Sequence, residues 1–216
     1  MTMGGADTQQ GASRILTALL ESRTGQTLSE GRAWRMETAL RPVLRDHGLA
    51  DIDALTARLL RKADVMLEKA VVEALLNNES SFFRDLQLFD MLQTQILPHL
   101  HETRANRVLR IWSAGCSTGQ EAYSLAIQLR NGWSRWNGWQ IEILATDISG
   151  RAIEQATSGI YSQMDVQRGL AIGDLVKWFE PHGDDWRASP ELRRMISFRQ
   201  DNLFDPREPT GEYDLL

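Results

Sequence analysis

Hydrophobic positions along the chain change their period near residue 108. From Ile15 to Leu76 they recur at helical spacing. Met36, Leu40, Val43 and Leu44 share one face, followed by Leu55 and Leu59 and then by Leu67, Val71, Leu75 and Leu76. Gly25, Gly31 and Gly48 punctuate these segments and no run reads as a strand, so the pattern predicts a small helical bundle over residues 14–76. Residues 1–13 are small and polar and are expected to form a disordered tail. Another helical run passes through Phe89, Leu92 and Ile96, with Pro98 expected to mark its end.

Residues 77–216 alternate between the two periods. Leu109, Ile111 and Trp112 read as a buried strand that stops at a Gly-rich turn. Tyr123, Leu125, Ala126, Ile127 and Leu129 then recur with helical spacing up to Asn131-Gly132. A second buried strand is predicted over Trp139–Ala145, reaching Asp147, then a helix over Arg151–Thr157 closed by Gly159. Residues 162–195 mix a short helical pattern (Leu175, Val176, Trp178, Phe179) with turn residues and read as a small insertion over the sheet. Met195, Ile196 and Phe198 suggest a third strand, and Tyr213-Asp214-Leu215-Leu216 begins a fourth. Strand and helix in alternation predict an α/β domain with a parallel sheet. Because the sequence stops as the fourth strand starts, the sheet is expected to be incomplete at its C-terminal end.

Composition narrows the classes of function. With 216 residues, 42% hydrophobic and 25% charged, the chain is ordinary globular material. A formal net charge of −5 argues against broad attraction to nucleic acid or to an anionic membrane. No apolar run approaches the roughly 20 residues that span a bilayer. The single cysteine, Cys116, excludes an internal disulfide framework. The N-terminus lacks a basic start and an apolar segment, so it is not read as a secretory signal, and the cytoplasm is the expected location. Arg32, Arg35, Arg41 and Arg45 offer either a local basic face for an acidic protein partner or a solvated helix surface interleaved with Glu37 and Asp46.

Candidate chemistry gathers around the turn after the first strand. Gly115 and Gly119 permit backbone geometry and close approach that a side chain would block, and the helix that follows offers unpaired N–H groups. Such turns bind nucleotides in open α/β sheets, yet the spacing fits neither G-x-G-x-x-G nor the Walker A loop with its lysine. A nucleotide ligand without phosphates is therefore favoured. Asp147 stands where an acidic residue accepts hydrogen bonds from ribose hydroxyls, or else caps the next helix. Glu121 is either a second acceptor or a favourable charge at a helix N-terminus. In Asn77–Asp85, NNESSFFRD, Ser80 or Ser81 caps the next helix with Phe82 and Phe83 in its first turn, or the stretch is a distinct junction. Trp133, Trp136 and Trp139 are read as loop packing in preference to a stacking platform.

Taken together, NNESSFFRD, RIWSAGCSTGQEAYSLAI, ATDIS, the A-x-x-G-I-Y segment Ala156–Tyr161 and DNLFD resemble the CheR-type chemotaxis receptor methyltransferases. The resemblance implies an S-adenosylmethionine-dependent enzyme with a Rossmann-like methyltransferase sheet over residues 77–216, preceded by a small all-α domain. It implies methylation of glutamate carboxylates on bacterial chemoreceptors, with S-adenosylhomocysteine as product and no metal. Carried over residue by residue, the polar members of the family's N-x-[ST]-x-F-F-R motif fall on Asn78, Ser80 and Arg84 as cofactor contacts. Ser80 keeps the hydroxyl of the commoner threonine, and Arg84 is also a candidate for positioning the substrate carboxylate. Gly115 belongs to the floor of the site, Glu121 is the acid after the turn, and Asp147 is the ribose-region acid. Asn202 and Leu203 are the pair near the adenine. Gln120 stands where a second acid is common. The family continues beyond the last strand into an Arg-Asn-containing segment that also contacts the cofactor. Two other readings are a noncatalytic S-adenosylmethionine-binding signalling module and a related methyltransferase with another protein target.

Overall fold

A computed structural model describes residues 4–27, 36–61, 63–204 and 211–216. The chain divides into two compact units, Met1–Asn77 and Asn78–Leu216.

The described part of the first unit is all helical: α1 (Gly4–Thr24), α2 (Met36–Asp46), α3 (Ile52–Arg61) and α4 (Val65–Leu75). Its core is built from the positions that set the apolar period, with Leu40, Leu55, Leu67 and Val71 wholly buried beside Leu16 and Leu20 of α1. The helix α1 starts at Gly4, where a disordered tail over residues 1–13 was expected. Once Ala12, Leu16 and Leu20 anchor the helix to the core, each residue added toward the N-terminus gains a hydrogen bond without a new nucleation cost. Asp64 caps α4 by accepting from the Leu67 N–H at 3.1 Å and pairs with Arg58 at 2.7 Å. These two contacts hold its carboxyl below the usual range. Arg41 and Arg45 are exposed on α2, Arg45 pairing with Asp46 at 3.0 Å. Arg32 and Arg35 lie outside the described residues.

The second unit opens with a long helical stretch, α5 (Leu86–Met91), a π turn (Leu92–Ile96) and α6 (Leu97–Thr103). Asp85, and neither Ser80 nor Ser81, caps α5, accepting from Leu88 N–H at 3.0 Å. Pro98 does not end the helix. It falls in the first turn of α6, where a missing N–H is tolerated, after a π turn in which the Leu97 N–H reaches back to the Leu92 carbonyl. The α/β part then runs β1 (Val108–Ala114), α7 (Gln120–Asn131), β2 (Gln140–Asp147) and α8 (Gly150–Ser158). An inserted antiparallel subdomain follows: β3 (Ile160–Tyr161), α9 (Gln163–Gln167), α10 (Ile172–Trp178), β4 (Phe179–His182), β5 (Asp185–Ala188) and α11 (Pro190–Arg193). It ends at β6 (Ile196–Gln200).

The strands β1, β2 and β6 pair in parallel with β2 in the middle. Leu215 adds a parallel bridge to Ile111, its carbonyl accepting from Trp112 N–H at 2.9 Å. The spatial order is therefore third, second, first, fourth, the arrangement of a doubly wound sheet whose direction of winding reverses beside β1. Ligands in such sheets bind outside the carboxyl ends of the strands at that reversal. In the subdomain, β5 pairs with both β3 and β4. Of the three tryptophans after α7, Trp136 is buried, Trp139 stacks on His101 of α6 at 5.0 Å, and Trp133 lies under the Arg130 guanidinium at 4.4 Å. That is packing, with no open stacking platform among them.

Phe82 lies at the centre of the second unit. It is fully buried, with edge-on contacts to Tyr161 at 5.0 Å and Phe179 at 5.6 Å, so one ring ties the segment before α5 to the inserted subdomain. Phe82→Ala should lower unfolding stability by about 3–5 kcal/mol, read from the midpoint of chemical denaturation.

Candidate functional site

The site is assembled on the turn between β1 and α7. The period-two alternation of β1 points Leu109, Ile111 and Ser113 to the buried side, and the chain then bends sharply. Gly115 and Cys116 both donate their N–H groups to the Thr146 carbonyl of β2, at 2.8 and 2.9 Å. Three residues of the turn, Gly115, Ser117 and Gly119, have positive φ, at 74°, 52° and 92°. At Gly119 no other residue fits: a Cβ there would stand 2.8 Å from the Ala156 Cβ and 3.1 Å from the Tyr161 hydroxyl. At Gly115 a Cβ would meet nothing within 4 Å, because this glycine borders open space.

That open space is a cavity of about 640 Å³ whose lining includes Ser80, Arg84, Gly115, Cys116, Ser117 and Glu121. The fold thus brings four of the predicted site residues, Ser80, Arg84, Gly115 and Glu121, to one cavity at the carboxyl end of β1. The Glu121 carboxylate is held by the buried Ser113, whose hydroxyl donates to Oε1 at 2.7 Å. Arg84 Nη1 donates to the Glu79 carbonyl at 3.0 Å, leaving a guanidinium at the exposed rim. Phe83 is held in a left-handed conformation with φ at 46° and donates its N–H to the Ser124 hydroxyl at 3.0 Å. The segment Ser80–Arg84 is thereby fastened to α7, which explains why neither serine caps α5.

Asn78 and Asp147 are not among the lining residues, but both hydrogen-bond Ser117, which is. One Asp147 oxygen accepts from the Ser117 N–H at 2.7 Å and the other from the Ser149 N–H at 2.9 Å. The cap of α8 is Ser149, not Asp147, accepting from Ala152 N–H at 3.0 Å. Asn78 donates from Nδ2 to the Ser149 hydroxyl at 3.3 Å, and its carbonyl accepts from the Ser117 hydroxyl at 2.6 Å. Asn202 and Leu203 follow β6 at the same sheet edge, where Asp201 N–H donates to the Asp147 carbonyl at 2.9 Å. They do not line the cavity. Asn202 accepts from Phe204 N–H at 3.0 Å and Leu203 is 56% exposed. Asp205, the last residue of the DNLFD block, lies outside the described residues. Gln120 is buried, its amide oxygen accepting from the Thr118 hydroxyl at 2.7 Å.

Two serines, Ser113 and Ser117, escaped the sequence reading although they orient Glu121 and the turn. The position of Ser113 among the inward residues of β1 was their one local signal: a hydroxyl on a buried strand face needs a polar partner.

A match to the family model described as CheR methyltransferase, SAM binding domain, extends over residues 78–216. The chain belongs to the CheR methyltransferase family. It is 29% identical to chemotaxis protein methyltransferase Cher2 of Pseudomonas putida, with 100% of this chain and 78% of that protein aligned. It is 30% identical to chemotaxis protein methyltransferase 1 of Pseudomonas aeruginosa, covering 94% of the chain and 75% of the relative. The chemotaxis protein methyltransferase of Borreliella burgdorferi is also 30% identical, over 93% of the chain and 73% of its own length. The cofactor of the domain is S-adenosylmethionine.

The cavity of this CheR family member suits that molecule. A carboxylate held at Glu121 matches an ammonium group, the Arg84 guanidinium matches a carboxylate, and Gly115 leaves room where any side chain would intrude. Cys116 also borders the cavity, but burial, reinforced by the Asp147 charge, pushes its thiol up to about 12. It is a neutral packing group and no nucleophile. Among the described residues no group of His, Cys, Asp and Glu side chains could hold a metal ion. No helix there is long and apolar enough to cross a membrane.

Gly119→Ala forces a side chain into both a left-handed backbone and an occupied volume. It should cost about 2–4 kcal/mol of stability in denaturant titrations. Calorimetry should show weakened S-adenosylmethionine binding by the folded fraction.

Proposed function

We propose that this protein methylates glutamate side chains of bacterial chemoreceptor cytoplasmic domains, acting in the cytoplasm as a protein-glutamate O-methyltransferase. The observation that carries this reading is the convergence of Glu121, Arg84, Ser80 and Gly115 on one cavity at the reversal point of the sheet. The chemoreceptor as substrate is drawn from the relatives named above, whose names place them in chemotaxis.

When bound, S-adenosylmethionine supplies a methyl group on a sulfonium, which a carboxylate oxygen displaces in line, with S-adenosylhomocysteine leaving. Glu121, oriented by Ser113, holds the ammonium end of the cofactor. Asp147 keeps the turn in shape through the Ser117 N–H and remains able to take a ribose hydroxyl, since a carboxylate offers about four acceptor positions. Ser80 lines the cavity with Asn78 beside it, and Asn202 and Leu203, off the cavity lining at the edge of β6, are the proposed adenine end. Arg84 at the rim pairs with the carboxylate of the cofactor, and the same positive charge draws in the substrate carboxylate and orients it toward the methyl group. A glutamate with an ordinary pKa of about 4.3 is ionised at neutral pH, so no general base is required. Nucleophile and sulfonium carry opposite charges that cancel during transfer, so positioning and exclusion of water do the work. Arg41 and Arg45, exposed on α2, are the proposed docking face for the acidic receptor surface.

Labelled methyl transfer from S-adenosylmethionine to a purified receptor cytoplasmic domain should give base-labile label. Glu121→Gln should raise the cofactor KM about 10- to 100-fold, as expected for a lost charge-assisted hydrogen bond. Cofactor binding without transfer to any receptor would favour a noncatalytic module. Transfer to a different protein would keep the chemistry and change the target.

A further inference from the structure

The segment Ala156–Tyr161 does not line the cavity, yet each of its distinctive residues bears on the cofactor turn or on the helix behind it. The Ala156 Cβ is the atom that a side chain at Gly119 would strike, and the Ala156 carbonyl accepts from the Tyr123 hydroxyl at 3.0 Å. Gly159, with φ at 66°, leaves no space for a Cβ, which would lie 2.9 Å from that same hydroxyl. Tyr161, fully buried in β3, donates its hydroxyl to the Thr118 carbonyl at 2.7 Å. Thr118 lies between the left-handed Ser117 and Gly119. Burial raises the Tyr161 hydroxyl well above its ordinary range, which keeps it protonated and a donor.

The inserted subdomain also reaches the other wall of the cavity. Gly169, with φ at 93°, approaches so closely that a Cβ there would lie 1.9 Å from the Phe82 carbonyl oxygen. Arg168 next to it pairs with Glu79 at 3.4 Å. Both segments that line the cavity therefore lean on one small antiparallel sheet and its short helices.

We infer that Tyr161 is a positioning residue for cofactor binding: through its hydrogen bond to Thr118 the inserted subdomain sets the shape of the cofactor turn. The consequence is coupling. Whatever engages or displaces the subdomain changes S-adenosylmethionine affinity, and by linkage the bound cofactor changes the subdomain's affinity for that partner by the same factor. The inference rests on the S-adenosylmethionine reading of the cavity.

Calorimetry on the full chain tests it with two buried tyrosines of different allegiance. Tyr161→Phe removes the donor to Thr118 and keeps the ring, and it should raise the S-adenosylmethionine Kd about 3- to 10-fold, the usual weight of one buried hydrogen bond. Tyr123→Phe removes the hydroxyl of another wholly buried tyrosine, one that serves α8 instead, and its Kd should stay within about twofold of the parent. In single-turnover assays with saturating cofactor, Tyr161→Phe should transfer methyl groups at the parent rate, the loss residing in KM. Equal losses of thermal stability in both variants with unchanged Kd in both would overturn the inference and leave the function intact. A shift of equal size in both variants would also overturn it. An unaltered chain that fails to bind S-adenosylmethionine would overturn the cofactor reading together with the inference.

Discussion

A single carboxylate, that of Asp147, joins the two loops on which the site depends. One oxygen takes the Ser117 N–H from the turn after β1 and the other takes the Ser149 N–H from the turn after β2. Ser117 has an unfavourable positive φ, and a left-handed serine persists only where its surroundings over-determine it. Here they do. Its N–H is held by Asp147, its hydroxyl donates to the Asn78 carbonyl, and its neighbour Cys116 is held by the Thr146 carbonyl. The strain at Ser117 lies in the turn that faces the cavity, where it sets the positions of Gly115 and Glu121.

Around this joint, the second unit is built so that chain segments distant in sequence press on one short turn. Phe82 carries the Asn78–Arg84 segment into an aromatic cluster with Tyr161 and Phe179 of the inserted subdomain. The Phe83 N–H fastens the same segment to Ser124 on α7. Gly119, at the start of α7, fits only because it has no side chain to meet Ala156, Tyr161 and Phe198. A cavity with walls held this way is pre-formed, which suits a reaction whose rate comes from placing two reactants in line and not from proton transfer. It also explains how Cys116 can border a reactive site and remain inert: the packing that shapes the turn keeps the thiol buried and protonated.

Much of the fold could be read from periodicity because periodicity is local. Leu109 and Ile111 at spacing two, then Tyr123, Ala126, Ile127 and Leu129 at helical spacing, give β1 and α7, whereas the reversal of the sheet beside β1 is decided by strand pairing. Local signals misled where tertiary contacts took over. Residues before Ile15 have no apolar period, yet α1 runs back to Gly4 because its later turns are anchored. Pro98 looks like a terminator, yet a π turn absorbs it. Ser80 and Ser81 look like caps, yet the left-handed Phe83 beside them commits the segment to α7 and leaves the cap to Asp85.

The sequence by itself determined the kinds of element, the Gly-rich turn, and the family motifs that name Asn78, Ser80, Arg84, Glu121 and Asp147, because each is a pattern over a few neighbouring residues. Only the tertiary structure decided what those groups touch. It gave Glu121 its partner Ser113, made Asp147 a clasp between two turns, kept Asn202 and Leu203 off the cavity lining, and set the Tyr161 hydroxyl against Thr118, 43 positions away. A side-chain hydrogen bond of that kind depends on where the sheet and its insertion bring distant backbone together, and no spacing along the chain encodes it.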